Sequence, residues 1–522
     1  MAPEIGSAER AAQPGRTAGK KTGSVPLSAA LFCQEDRTIK QLIKATTLSG
    51  AFTVLNTVIS FVKTKVMALL LGTEGVGFIG QLNSFFLLLS NATSLGNNVG
   101  VTRFVADFKA QGEDEKINRL IHSVRLVIGF FVLFCVILGI VFSRTLSLWI
   151  LKDEKYFLPI IITLIGLPFT VLYHFYRSLF TGLLEIRTYV LTGALTALAG
   201  LLLLLPLVYF FRLNGAVWHL ALFAAAGLVI AHSFYRRIRS RRLPGLSRAP
   251  VFDRAILSNI LQFGAASLIA TTSLYLANLI VRKIILDHLG WAQAGIYAAM
   301  LQMSNQCIQL VLESINTYCY PRLSGLQKSG EVVHELNEIL RLTLTLITPL
   351  IVAFVLFKDL IIVVFLSREF LLASSLIGMQ LLGDAFKAVG WSIGVSLLPM
   401  KKLKAFALID VLWSALFVSL SMALAPRWGL KGILAAYLAG YAFHVGVNYV
   451  YAARTIAYRL WPANQVLALL SLLLIVYTTM FFRPAPFHLL LLSIGVPVWC
   501  WKAVRREEIA ALCRIFKGKF SA

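Results

Sequence analysis

MQLLGDAFKAVGWSIGVSLL, residues 379–398, decides how the chain is read. It is apolar enough to cross a bilayer, yet it carries Asp384 and Lys387. A charge at the bilayer centre costs roughly 2.5–3.5 kcal/mol even on lenient insertion scales, so such residues face the interior of a helix bundle. The two charges stand three residues apart, on one helical face, where they can pair. Gly383, Gly390 and Gly394 thin the same helix, and the last two have the GxxxG spacing that admits a neighbouring helix. The stretch therefore reads as a span packed among others, either burying a neutralised pair or lining a polar cavity.

The whole chain has the matching composition. Of 522 residues, 58% are hydrophobic and only 14% charged, where soluble domains carry about 25% charged residues. The net charge of +25 is then no sign of nucleic acid, because polytopic membrane proteins collect Lys and Arg in cytoplasmic loops. The six cysteines have no metal-ligand spacing and read as reduced core residues. Residues 1–27 lack the apolar segment of a signal peptide and read as a disordered tail.

Apolar runs of spanning length fall at 45–71, 76–102, 120–143, 157–180, 188–211 and 215–235. After a basic linker they resume at 255–281, 291–317, 340–357, 374–398, 405–426 and 430–453, with two weaker runs at 463–482 and 487–501. The fold class is an all-α polytopic membrane protein of about 14 spans. With both termini cytoplasmic, Lys and Arg outside the spans divide about three to one in favour of the cytoplasmic side.

The first twelve spans contain a repeat. KVMALLLGTEGVG and KIILDHLGWAQAG share K-x6-G-x4-G, matching Lys65 with Lys283, Gly72 with Gly290 and Gly77 with Gly295. Arg103 falls opposite Arg322, Arg187 opposite Lys404, Leu213 opposite Leu430 and Arg237 opposite Arg454. Matches in order at nearly one offset argue for duplication into two parallel six-helix lobes, related by an axis along the membrane normal. The expected organisation is a cytoplasmic tail (1–37), a first lobe (38–242), a cytoplasmic linker (243–254), a second lobe (255–456), an extra pair of spans (457–502) peripheral to transport, and a basic cytoplasmic tail (503–522).

No catalytic constellation is visible. The eight histidines form no HExxH, and the glycines at 72–80 lack the Gly-Lys-Ser/Thr of a phosphate loop. The chain therefore reads as a transporter without enzymatic activity, metal or bound cofactor. What remains is polarity inside the membrane. Lys63 and Lys65 lie toward the end of the first span, and Arg282 and Lys283 hold the repeat position. In the second span Asn83, Ser90, Ser94 and Asn97 share a helical face, better explained by a wet cavity than by helix–helix hydrogen bonds. The expected substrate-binding cavity is formed by Lys65, Asn83, Asn97, Arg282, Lys283, Asp384 and Lys387. Its cationic balance suits an anionic, phosphate-bearing substrate.

The stretches GTEGVGFIGQLNSF (72–85), YPRLSGL (320–326) and FLSREFLLASSLIGMQLLGDAFKAVGW (365–391) resemble the Wzx-type flippases of lipid-linked oligosaccharides. That group includes lipid III flippases and O-antigen translocases. L-x-GD-x-x-K-x-x-G at 381–390 is the most specific part. The resemblance covers roughly 38–456 and implies a MATE-like V of two lobes in the MOP superfamily. It also implies a bacterial inner-membrane protein that moves undecaprenyl-pyrophosphate-linked oligosaccharide to the periplasmic leaflet for O-antigen, common-antigen or exopolysaccharide assembly. On that reading the partners are the lipid-linked oligosaccharide, the bilayer, a polysaccharide polymerase and chain-length proteins, with no nucleic acid. The driving force would come from a proton or sodium gradient, and Asp384 would position substrate or couple to that gradient. The alternative within the superfamily is an ion-coupled exporter of small molecules.

Overall fold

Several of the helix breaks in this chain fall where the backbone turns through positive φ. The computed structural model describes residues 27–242, 252–326, 328–397, 400, 402–481 and 486–503. It divides into two compact units, residues 1–48 and 49–522. The described part of the first unit is helical from Leu27 onward. The expected tail 1–37, the linker 243–254 and the basic tail 503–522 lie wholly or largely outside the described residues.

In the second unit the element order repeats. The first repeat comprises the later part of α1 (Leu27–Thr93), α2 (Asn97–Ala110), α3 (Asp114–Val141), α4 (Ser143–Leu151), α5 (Phe157–Gly182) and α6 (Ile186–Arg242). The second comprises α7 (Arg254–Gly325), α8 (Ser329–Leu356), α9 (Lys358–Phe365), α10 (Ile377–Gly394), α11 (Leu403–Trp428) and α12 (Leu430–Ile456). A 3-10 segment follows α4 at Glu154–Tyr156, and another follows α9 at Arg368–Ser375.

The breaks repeat with them. α1 turns at Gly72 (φ 65°, ψ −169°) and α7 at Gly290 (φ 83°, ψ 179°), the paired glycines of K-x6-G-x4-G. Only glycine reaches that region without steric cost. α6 turns at Arg212 (φ 49°, ψ −125°), and α11 passes to α12 at Gly429 (φ 57°, ψ −138°). Arg212 carries a strained conformation that its counterpart, a glycine, does not. One difference separates the repeats. Gly96 (φ 69°) parts α1 from α2, whereas α7 runs from the Gly290 turn to Gly325 with no such second break. The flanking matches place Ser314 or Ile315 opposite Gly96, and a side chain with a Cβ disfavours the left-handed turn that glycine takes.

Among the described residues nine helices are long and apolar enough to cross a membrane, or ten if the bent pair Arg368–Ser375 and Ile377–Gly394 forms one span. Three of the nine contain the turns at Gly72, Arg212 and Gly290, and each half keeps about 20 residues or more, the length a bilayer requires. Read as separate passes, these halves follow the expected span order. The expected last pair corresponds to α13 (Pro462–Val476) and α14 (Pro486–Ala503). Large apolar side chains such as Phe130, Val141 and Phe210 are exposed, as a lipid-facing surface requires. Cys135, Cys307, Cys319 and Cys500 are unpaired; Cys319 is buried, but Cys500 is exposed rather than in the core.

α13 joins α8 through a buried polar cluster. Asn337 Oδ1 accepts from the Trp461 backbone N–H (3.0 Å) and from Asn464 Nδ2 (3.2 Å). Asn337 Nδ2 donates to the Arg459 carbonyl (3.1 Å). In an apolar surround such bonds fix register, because an unmade one is costly.

Candidate functional site

Glycines make the tightest backbone contacts between the repeats among the described residues. A Cβ on Gly295 would lie 1.8 Å from the Thr73 carbonyl oxygen, and one on Gly77 2.5 Å from that of Trp291. These are the second glycines of the duplicated motif, so each repeat supplies the same residue to one contact. A second contact pairs Gly96 with Gly264, where a Cβ on either would fall within 2.6 Å of the opposite backbone. Asn91 reinforces it, donating to Thr272 Oγ1 (2.9 Å) and accepting from Thr271 Oγ1 (3.1 Å).

A cavity of about 510 Å³ lies between the repeats. Its lining on the later half of α1 runs from Val76 to Leu87, which sets it between the Gly77 and Gly96 contacts. Among the described residues two cations face it, Lys63 from α1 and Arg282 from α7, and no Asp or Glu lines it. The Lys63 ammonium sits 4.5 Å from the centre of the Phe223 ring. It also lies 2.6 Å from where a Gly200 Cβ would be, beside the Phe223 ring that packs on the same glycine at 2.5 Å. The Arg282 guanidinium packs on Gly80 in the same way, 2.6 Å from its would-be Cβ, and faces the Tyr297 ring at 5.9 Å. Among the described residues neither cation has a carboxylate partner. Two unpaired cations in a low-dielectric cavity repel one another and attract an anion strongly.

The expected site residues separate into groups. Asn83 and Arg282 line the cavity. Lys387 reaches its wall: the ammonium donates to Asn305 Oδ1 (2.9 Å), and Asn305 is a lining residue. Asp384, fully buried, does not ion-pair directly with Lys387. It accepts from Tyr437 Oη (2.7 Å) and from Gln380 Nε2 (3.5 Å). The expected face-to-face pair is therefore two neighbouring charges with separate partners, since three residues of helix leave room for each side chain to turn aside.

Gly383, Gly390 and Gly394 do admit a neighbour, which is α12. Cβ atoms there would lie 2.5–2.6 Å from Tyr437, His444 and Asn448. Trp413, Phe417 and Tyr441 form an aromatic cluster against the Tyr437 ring, whose hydroxyl meets Asp384.

Lys65 and Lys283 are not in the lining. The Lys65 ammonium donates to the Val363 carbonyl (2.6 Å) beside an apolar groove between α1 and α9. Lys283 pairs with Asp287 (2.6 Å), which Lys152 also approaches at 3.3 Å. Each neighbours a residue that does face the cavity. At 100° per residue, Lys63 and Lys65 point to opposite sides of one helix, as adjacent Arg282 and Lys283 diverge. The Asn97 side chain lies outside the described residues. The polar face of the second span is divided. Asn83 and Ser84 meet the cavity, whereas Ser90 and Ser94 are buried, Ser94 bonding back to the Asn91 carbonyl. The sequence signal for Lys63 was the spacing Ser60, Lys63, Thr64, one turn of lining residues. Gln302, Asn305, Gln306 and Gln309 on α7 carried the same kind of signal.

Relatives share this architecture. The chain is 23% identical over 406 residues to the lipid III flippase of Escherichia coli (strain K12), covering 77% of this chain and 95% of that protein. Its fold is similar to that of the lipid II flippase MurJ in an inward closed conformation. That match has a TM-score of 0.67 at 16% identity and covers 88% of this chain and 98% of that one. An inward-facing multidrug resistance MATE family transporter of the MOP superfamily also gives a TM-score of 0.67, at 15% identity, covering 78% of this chain and 94% of that one. The model of the family described as polysaccharide biosynthesis protein matches residues 42–327. That match runs through the first repeat and into the second, past every α1 and α7 residue of the cavity, and the chain belongs to the polysaccharide biosynthesis protein family.

Proposed function

We propose that the protein flips an undecaprenyl-pyrophosphate-linked oligosaccharide from the cytoplasmic to the periplasmic leaflet of the inner membrane, by alternating access between its two repeats. The observation that carries this reading is the inter-repeat cavity with Lys63 and Arg282 on its wall and, among the described residues, no acidic one. An isolated pyrophosphate cannot cross hydrocarbon, because removing its charge from water costs tens of kcal/mol in the idealised Born limit. Lys63 and Arg282 would replace that hydration, Arg282 through a planar donor array matched to phosphate oxygens. Asn83 would add a neutral donor. Lys387 would act through Asn305, and buried Asp384 is the group on which a proton or sodium gradient would act. The lipid tail would stay in the bilayer while the head group crosses. The Gly72 and Gly290 turns would then face the periplasm, with both termini in the cytoplasm. A polymerase and chain-length proteins would take the product.

A small-cation exporter is the rival reading. Its cavity would need acidic residues to favour a cation, and among the described residues this lining has none. The test is deletion in the native host. Lipid-linked glycan should accumulate on the cytoplasmic leaflet and surface polysaccharide should fall. The wild-type chain should reverse both, but Lys63→Met with Arg282→Met should not, at equal membrane abundance. Normal surface polysaccharide in the deletion strain would refute the proposal.

A further inference from the structure

The cavity has a second chemical character besides its charge. Gln302, Asn305, Gln306 and Gln309 recur at i, i+3, i+4 and i+7 on the part of α7 beyond Gly290, and all four line the cavity. That spacing makes one stripe along the helix. A carboxamide presents donors and an acceptor side by side. This suits the adjacent hydroxyls of a sugar ring and does little for a pyrophosphate, which needs cations.

Two of these amides already hold hydroxyl groups. Gln302 Nε2 donates to Thr64 Oγ1 (2.6 Å), and Gln306 Nε2 donates to Ser60 Oγ. Both hydroxyls belong to α1, in the opposite repeat, one helical turn apart. The acceptor oxygen of Gln306 is buried without a partner, an unusual state for a buried polar atom. Asn91 makes similar bonds to Thr271 and Thr272, but those residues do not line the cavity. The stripe differs in facing the space a substrate would occupy.

We propose that this amide stripe reads the glycan of the substrate, and that Ser60 and Thr64 hold the places of two sugar hydroxyls. The proposal rests on the flippase reading and adds where the sugar is recognised. It also has a mechanical consequence. Sugar hydroxyls that take the Gln302 and Gln306 amides release Thr64 and Ser60, so glycan binding removes two bonds between the repeats. Recognition is thereby linked to their separation, since a ligand shifts an equilibrium only through differential contacts.

The test measures binding to the full chain in lipid nanodiscs. The two probes are undecaprenyl pyrophosphate and undecaprenyl-pyrophosphate-linked N-acetylglucosamine. The readout is the ratio of their dissociation constants, which a general loss of folded protein does not alter. The wild type should prefer the sugar-bearing probe. Gln302→Leu with Gln306→Leu should lower that preference severalfold, less than two uncompensated hydrogen bonds imply, because each amide gives up an α1 hydroxyl to take one of the sugar. Ser60→Ala with Thr64→Val, which frees the amides, should raise it about fivefold. An unchanged ratio in either double variant would overturn the proposal, and so would a wild type that binds both probes equally. If the glutamine variant fails to fold, the Ser60 and Thr64 variant decides. A wild type that binds neither probe would instead sink the flippase reading itself.

Discussion

Gly295→Ala should open one end of the molecule. The added methyl carbon would lie 1.8 Å from the Thr73 carbonyl oxygen, where ordinary van der Waals contact begins at 3.4 Å. The neighbour is backbone on a packed helix and cannot swing aside, so the repeats must part by about 1.6 Å at this point. Overpacking of this kind costs typically about 1–3 kcal/mol. At about 1.4 kcal/mol per factor of ten, the closed contact should lose roughly fivefold to 140-fold in population. The assay uses a cysteine-free background with Asn83→Cys in the cavity wall. A membrane-impermeant maleimide is added from the side of the Gly72 and Gly290 turns. The labelling rate should rise with Gly295→Ala by a factor in that range. Gly446→Ala is the control, because nothing lies within 4 Å of its would-be Cβ, and it should leave the rate unchanged. Equal rates for wild type and Gly295→Ala, at equal abundance, would refute the claim that this glycine contact closes the cavity.

Lys65→Met and Lys283→Met should retain most transport, because neither side chain lines the cavity; a loss as large as that of Lys63→Met would show the cavity to be wrongly drawn. Tyr437→Phe removes the 2.7 Å bond to Asp384 and should lower stability by about 1.5–3 kcal/mol, the worth of a hydrogen bond to a charged group. Dodecyl sulfate unfolding in mixed micelles, run as a double-mutant cycle with Asp384→Asn, would expose an error if the coupling were near zero. Asn464→Leu strips the donor that bonds Asn337 and should destabilise the α8–α13 junction by about 1–3 kcal/mol. Transport per molecule should persist in that variant, as expected for helices outside the repeat; abolished flipping at normal abundance would contradict this.

The sequence alone determined the features that depend on chain length and backbone. Apolar runs of bilayer length dictate helices, because no other open structure satisfies its own hydrogen bonds in lipid. The K-x6-G-x4-G repeat aligned Gly72 with Gly290, and both adopt a φ that other residues resist. Gly383, Gly390 and Gly394 announced a tight helix neighbour. Tertiary structure alone decided which charges meet the cavity. Lys63 and Lys65 are two residues apart in equally apolar surroundings. Only the placement of α6, with Gly200 and Phe223 against α1, makes Lys63 the inward cation and turns Lys65 to Val363. Asp384 and Lys387 likewise looked like partners by spacing, until Tyr437 from α12 and Asn305 from α7 arrived within hydrogen-bond reach and took one each. A helix fixes the angle between two side chains, but the dielectric and the partners each one meets come from helices distant in sequence.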